Sequence, residues 1–113
     1  MTDSDSTRLL ARLRERDEFA LAELYDRMSR RAFGLAYQVL RDGSAAEDAV
    51  QAAFVAVWEQ AARLDPNRGS VEGFLLTVVH RRAVDAVRMG QGVRPAQNRW
   101  RWNPRIKMQS RTR

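Results

Sequence analysis

Asn67, Arg68 and Ser70 fall together in a short polar loop, and Arg81, Arg82 and Arg88 follow in the next helix-like segment. Arginine presents a planar fork of donors that matches phosphate oxygens, while a loop amide and hydroxyl can hydrogen-bond the edge of an unstacked base. Two aromatic rings flank the loop, Trp58 before it and Phe74 after it. Exposed rings of this kind stack on bases, an interaction worth ~1–3 kcal/mol each. Their helical spacing also fits burial in a core, and the charges also fit a solvated face. Upstream, Glu47, Asp48, Gln51 and Glu59 form an acidic-amide edge. Such an edge can dock an arginine-rich partner helix, or simply favour solubility and the helix dipole. His80 is the single histidine, and a lone helical histidine is more often packed or solvated than catalytic.

Other chemistries find no residues to carry them. There is no cysteine, which excludes thiolate metal sites, disulfides and cysteine nucleophiles. No Ser/His/Asp arrangement, glycine-rich phosphate loop, paired-carboxylate pocket or His/Asp/Glu cluster at ligand spacing can be assembled from the sequence. The expectation is a non-enzyme without cofactor or metal. No apolar run approaches the ~20 residues of a membrane span, and the N-terminus MTDSDSTR has no signal-peptide core. The expected compartment is the cytoplasm.

The net charge of +6 is unevenly distributed. Residues 1–89 carry 13 arginines against 14 acids, a net of −1, whereas residues 90–113 hold seven basic residues and no acid. Two glycines, two prolines and the absence of apolar periodicity mark 90–113 as a disordered basic tail. Its Arg99 to Trp102 run mixes charge with aromatic rings, a composition that binds nucleic acid or anionic membrane non-specifically. An unselected basic tail has the same composition, and a truncated or frame-shifted end would produce the abrupt change at Gly90.

Four helices are expected to position these residues, with no strand, because no segment alternates with period two. Met1 to Thr7 reads as a frayed end and Arg8 to Arg16 as a short helix burying Leu9, Leu10 and Leu13. Asp17 is a plausible N-cap for a helix from Glu18 to Leu40. Its apolar positions are Phe19, Ala22, Tyr25, Met28, Ala32, Phe33, Ala36, Tyr37 and Leu40. Gly43 suits a left-handed stop, and Ser44 to Glu47 has the spacing of a capping box for the third helix. That helix offers Val50, Phe54, Val57, Trp58 and Ala61 to the core. Pro66 and Gly69 bracket a break from Leu64 to Ser70. Ser70 then caps a fourth helix through Arg88, burying Phe74, Leu75, Val78, Val79, Ala83 and Val87, with Asp85 at pairing distance from Arg81, Arg82 or Arg88. The fold class is all-α, a bundle of three main helices plus a short leading one over residues 8–89.

The ordered part resembles region 2 of bacterial sigma factors, in the extracytoplasmic function group of the sigma-70 family. Ala46-Glu47-Asp48-Ala49-Val50-Gln51, then Phe54 and Val57-Trp58, match that group's AED-x-x-Q-x-x-F-x-x-VW pattern. Leu64 to Ser70 matches its loop, Phe74 to Thr77 with Arg82-Ala83-Val84-Asp85 and Arg88 matches its last helix, and Leu24-Tyr25 fits its early ELY. The match spans roughly residues 17–89.

The resemblance implies a domain that binds core RNA polymerase through the clamp helices of the largest subunit, with Asp48 and Gln51 in contact and Glu47 nearby. It implies recognition of the promoter minus-ten element as single-stranded DNA by Asn67, Arg68, Gly69, Ser70 and Phe74 with His80, Arg81, Arg82 and Arg88. Binding to the open strand offsets an unstacking cost of a few kcal/mol per step. The chain departs from the family at three positions. Ala52 stands where Glu is frequent, Phe74 where Trp is usual and Arg81 where Asn is frequent, and residues 90–113 cannot build the family's second, helix-turn-helix domain. Two functions follow as expectations: a transcription-initiation domain, or an interaction module that binds polymerase or an anti-sigma factor without initiating.

Overall fold

The computed structural model describes residues 2–90, and helices account for all regular structure within that span. α1 runs Thr2–Arg14, α2 Glu18–Leu40, α3 Gly43–Gln60 and α4 Val71–Arg88, with short 3₁₀ turns at Ala61–Arg63 and Pro66–Arg68 between α3 and α4. The tail reading for 90–113 lies outside the described residues except for Gly90. α2, α3 and α4 each pack against the other two, and α1 lies across α2, α4 and the Ala61–Arg63 turn. The expected all-α bundle is therefore observed.

Caps fix where the helices begin and end. Asp17 has extended backbone, and its carboxylate accepts from the Phe19 N–H at 2.9 Å, which starts α2 at Glu18 as expected. Ser70 caps α4 as expected, accepting from the Gly73 N–H at 3.0 Å. The α2–α3 junction differs from expectation. Arg41, not Gly43, takes the left-handed conformation at φ 55° and donates its N–H to the Tyr37 carbonyl at 2.8 Å. Gly43 is instead the first residue of α3, because Asp42 caps that helix by accepting from Ser44 and Ala45. With the cap one turn position earlier, Ser44 lies inside the helix and the expected capping box does not form.

α1 begins at Thr2 rather than Arg8. Isolated, so short a polar segment would fray, but tertiary contacts hold it. Ser6 is only 8% exposed and donates to Glu72 Oε1 at 2.7 Å, and Asp5 pairs with Arg27 at 3.3 Å. Arg27 also pairs with Glu23 and Glu72, while Glu23 and Asp17 both pair with Arg12. The polar face of α2 thus carries an ion-pair chain joining α1, α2 and the start of α4.

The core is rich in small residues. Ten of its 24 buried apolar side chains are alanine, and Ala45, Ala49 and Ala53 form an i, i+4 ridge on α3 that permits close helix approach. Phe54 fills the centre with its ring 5.0 Å from that of Tyr25. Two expected core residues are at least half exposed. Phe19 is 72% exposed and Val87 50%. The buried stripe of α2 runs instead through Ala20, Leu21, Leu24, Met28, Ala32, Ala36 and Leu40, so Ala22 and Tyr37 also fall off it. Among the described residues no ion pair joins Asp85 to Arg81, Arg82 or Arg88.

Two arginines hold left-handed backbone, Arg16 at φ 61° and Arg41 at φ 55°, a conformation that costs a non-glycine residue roughly 1 kcal/mol. Arg41→Gly is expected to stabilise the fold by up to about 1 kcal/mol in chemical denaturation. Arg16→Gly is expected to destabilise it, since its guanidinium lies 4.0 Å from the Trp58 ring centroid and donates to the Trp58 carbonyl. Those contacts are worth roughly 1–2 kcal/mol together and outweigh the relieved strain.

Asp17 supplies a pH test. Burial pushes its carboxyl pKa up, but hydrogen bonds from Arg12 and the Phe19 amide outweigh burial and hold it below the usual value. A depressed native pKa adds stability above the unfolded-state pKa, lost as pH falls through the native one. Asp17→Asn keeps a capping acceptor and loses the ion pair. The stability difference between wild type and Asp17→Asn is therefore expected at pH 6 and to shrink progressively below about pH 4, where unfolded carboxyls protonate.

Candidate functional site

The backbone between α3 and α4 is held by arginines from the α1–α2 corner. Arg14 Nε donates to the Ala61 carbonyl at 3.2 Å and its Nη2 to the Leu64 carbonyl, while Arg16 Nη1 donates to the Trp58 carbonyl at 2.6 Å. The Ala61 carbonyl also accepts from the Leu64 N–H at 3.2 Å, and all three oxygens lie where α3 runs out and helical partners become scarce. Asp65 then accepts from the Asn67 N–H at 2.9 Å and nucleates the Pro66–Arg68 turn. Gly69 follows at φ 148°, ψ 175°, a backbone that favours glycine, and the chain enters α4 at Ser70.

This loop and the adjoining face of α4 enclose a cavity of about 590 Å³. Arg68, Gly69, Ser70, Phe74 and Arg81 all line it. Phe74 is partly buried, with its ring forming part of the wall. Residues 73, 77 and 81 follow one another at i, i+4 along α4, so Gly73 and Thr77 line the same cavity, and Arg63 closes it from the preceding turn. Sequence reasoning missed Arg63 and Thr77, although helical spacing from Phe74 and Arg81 marks Thr77 directly. Thr77 Oγ1 donates to the Gly73 carbonyl at 3.0 Å, which leaves its lone pairs as acceptors.

The remaining predicted residues lie elsewhere. Asn67 lines a neighbouring cavity rather than this one. His80 and Arg88 are exposed on α4 and line neither cavity. Arg82 faces a third concavity, a groove of about 400 Å³ that it shares with Asp48, Gln51 and Glu59 over a floor of Ala52, Val55 and Ala56. Glu47 is exposed beside this groove without lining it. Trp58 is partly buried with Arg16 stacked on its ring, so that face is taken by the protein itself.

The geometry has a relative in sequence. The family described as Sigma-70 region 2 matches residues 24–92, more than half of the chain. The chain belongs to that family. Similar curated proteins are named ECF RNA polymerase sigma factor SigK. Those of Mycobacterium tuberculosis and Mycobacterium bovis are 43% identical over 88 residues, covering 78% of this chain and 47% of theirs. That of Mycobacterium sp. strain KMS is 41% identical over 92 residues, covering 81% of this chain and 48% of its own. The chain spans about half the length of these relatives. No solved structure matches it. In this sigma-70 region 2 domain the family's acidic-amide motif forms the α3 groove, and its loop and last helix form the cavity. No described helix is long and apolar enough to cross a membrane.

Gly69 is shared by both loop cavities, and a Cβ there meets no atom within 4 Å. The effect of Gly69→Ala is therefore expected to be backbone strain alone, a loss of about 1–3 kcal/mol in denaturation with helical circular dichroism retained.

Proposed function

We propose that this domain docks on core RNA polymerase through the α3 groove and captures the single-stranded minus-ten element at the loop and α4, serving transcription initiation. The observation that carries the DNA half is the cavity uniting a ring at Phe74 with Arg63, Arg68 and Arg81. A base stacks on the ring while guanidinium forks hold the flanking phosphates. His80 and Arg88, exposed further along α4, extend the phosphate track without reading sequence. The polymerase half rests on α3, whose charged residues Glu47, Asp48 and Glu59 are all acidic. Asp48, Gln51 and Glu59 sit over an apolar floor, which fits a partner helix that is basic on one face. Arg82, at the edge of that groove, is assigned to the partner face rather than to base capture.

A second reading has a specific observation in its favour. The groove is a protein-docking surface on its own chemistry, so a domain that occupies polymerase or an anti-sigma factor without opening DNA needs only α3.

Three substitutions test the readings. Asp48→Arg is expected to abolish binding to core polymerase in a pull-down or anisotropy titration. Phe74→Ala and Arg68→Ala are expected to leave that binding intact and reduce open-complex formation, measured with a fluorescent base on a minus-ten template, by roughly tenfold or more, as loss of a stacked base implies. Unchanged opening in both loop-side variants would leave only the docking reading.

A further inference from the structure

The basic sequence that follows α4 has no part in the function above, and α3 offers a surface of matching chemistry. Residues 91–113 lie outside the described residues, but their composition is plain: seven basic side chains, no acid, and two tryptophans at positions 100 and 102. The α3 groove has the converse lining. Ala52, Val55 and Ala56 form an apolar floor, and Asp48 and Glu59 bring negative charge to its α3 side. Ala52 and Val55 are partly exposed, so the floor is open to a ligand. The one base among the lining residues is Arg82, on the α4 side.

Charge, composition and reach together select this segment as the occupant. α3 carries Glu47, Asp48 and Glu59 and no base, whereas the loop cavity carries three arginines against one acid and repels a cationic chain. Tryptophan rings cover apolar surface, and guanidinium forks pair with carboxylates, so Arg-Trp-Arg-Trp at 99–102 supplies both halves of the match. The segment also starts close by. Arg82 stands six residues before the end of α4, ~9 Å along the helix. Nine residues separate Gly90 from Arg99, and a stretch of that length spans up to ~30 Å. A ligand tethered this way needs little affinity of its own, because a short linker holds it at an effective concentration near millimolar.

We infer that residues 99–102 dock into the α3 groove of their own chain, with Trp100 and Trp102 over the floor of Ala52, Val55 and Ala56 and with Arg99 and Arg101 against Asp48 and Glu59. The segment is then an internal competitor for the partner that α3 takes, and it weakens docking in proportion to the fraction of time it is bound. The competition rests on the polymerase docking proposed above. The contact itself does not, and the test separates the two.

The chain has no cysteine, so an introduced pair reports a single contact. Gln60 lines the groove, and Gln60→Cys with Asn103→Cys in the full chain is expected to form a disulfide within one molecule. Its effective concentration, read by equilibration against glutathione, is expected to exceed that of a Gln38→Cys, Asn103→Cys control by roughly tenfold or more, Gln38 being exposed on α2. Adding Arg99→Glu with Arg101→Glu, or Trp100→Ala with Trp102→Ala, is expected to remove the difference. Without the cysteines, each of these two double variants is expected to bind core RNA polymerase roughly three- to tenfold more tightly than wild type in an anisotropy titration. The tryptophan variant leaves net charge unchanged, so its gain does not come from altered charge attraction to polymerase. Equal effective concentrations for the two cysteine pairs, or disulfides that form only between molecules, overturn the inference. A preferred Gln60 disulfide with unchanged polymerase affinity upholds the contact and instead removes the α3 groove as the polymerase docking site.

Discussion

Arg14 and Arg16 donate to the carbonyls of Trp58, Ala61 and Leu64, forty-two to fifty positions later in the chain, where α3 gives way to the loop. Arg14 and Arg16 sit where α1 gives way to α2, so the same two side chains join the leading helix to the loop that carries the site. Hydrogen bonds from a charged guanidinium are stronger than neutral ones, and three of them converge on this connection. Left to itself the connection would relax toward water and lose its shape. The left-handed backbone at Arg16 is the local cost of aiming that guanidinium at Trp58.

From that anchor the loop is built by short-range chemistry. Asp65 turns the chain over Asn67, Gly69 supplies the one backbone conformation that side chains resist, and Ser70 starts α4. Residues 69–71, with Leu10 of α1, line both of the cavities that meet at the loop. One element therefore sets the shape of both cavities. The ion-pair chain from Asp17 through Arg12, Glu23 and Arg27 to Glu72 holds α1 against the far side. Each exposed pair is worth little alone, a median of about 0–1 kcal/mol, but together they fix the rotation of α1 and hence which of its residues face the loop.

Charge is sorted by helix. α3 bears acids and no base, while α4 carries Arg81, Arg82 and Arg88 in its second half beside the acids Glu72 and Asp85. At a net of −1, residues 1–89 do not attract DNA through overall charge. Positive charge is concentrated only locally, where Arg63, Arg68 and Arg81, with the single acid Asp65, line the cavity that includes Phe74. Arg82, a single position further, is turned by the ~100° per residue of an α-helix toward the acidic groove instead.

The sequence by itself determined the helices and most of their limits, because these are set within a few residues. Asp17 and Ser70 cap where their side chains and extended backbones allow, Leu40 and Arg88 end the helices they were expected to end, and the motif order carried the family. It also singled out Phe74, Arg68 and Arg81, which line one cavity. Tertiary structure decided the rest. Phe19 reads as core by its side chain yet lies outside, since packing selected an alanine-lined stripe whose small residues let helices approach. Asp42 and Arg41 displaced Ser44 and Gly43 at the α2–α3 corner, a choice between near-equal caps that neighbouring packing resolves. The polar start of α1 becomes helix only through contacts to Arg27 and Glu72, far away in the chain. The division of the predicted DNA set among a charged cavity, an uncharged cavity and an acidic groove also depends on how α1, α3 and α4 are rotated about their axes. That rotation is fixed by contacts between residues distant in sequence, and no local pattern records it.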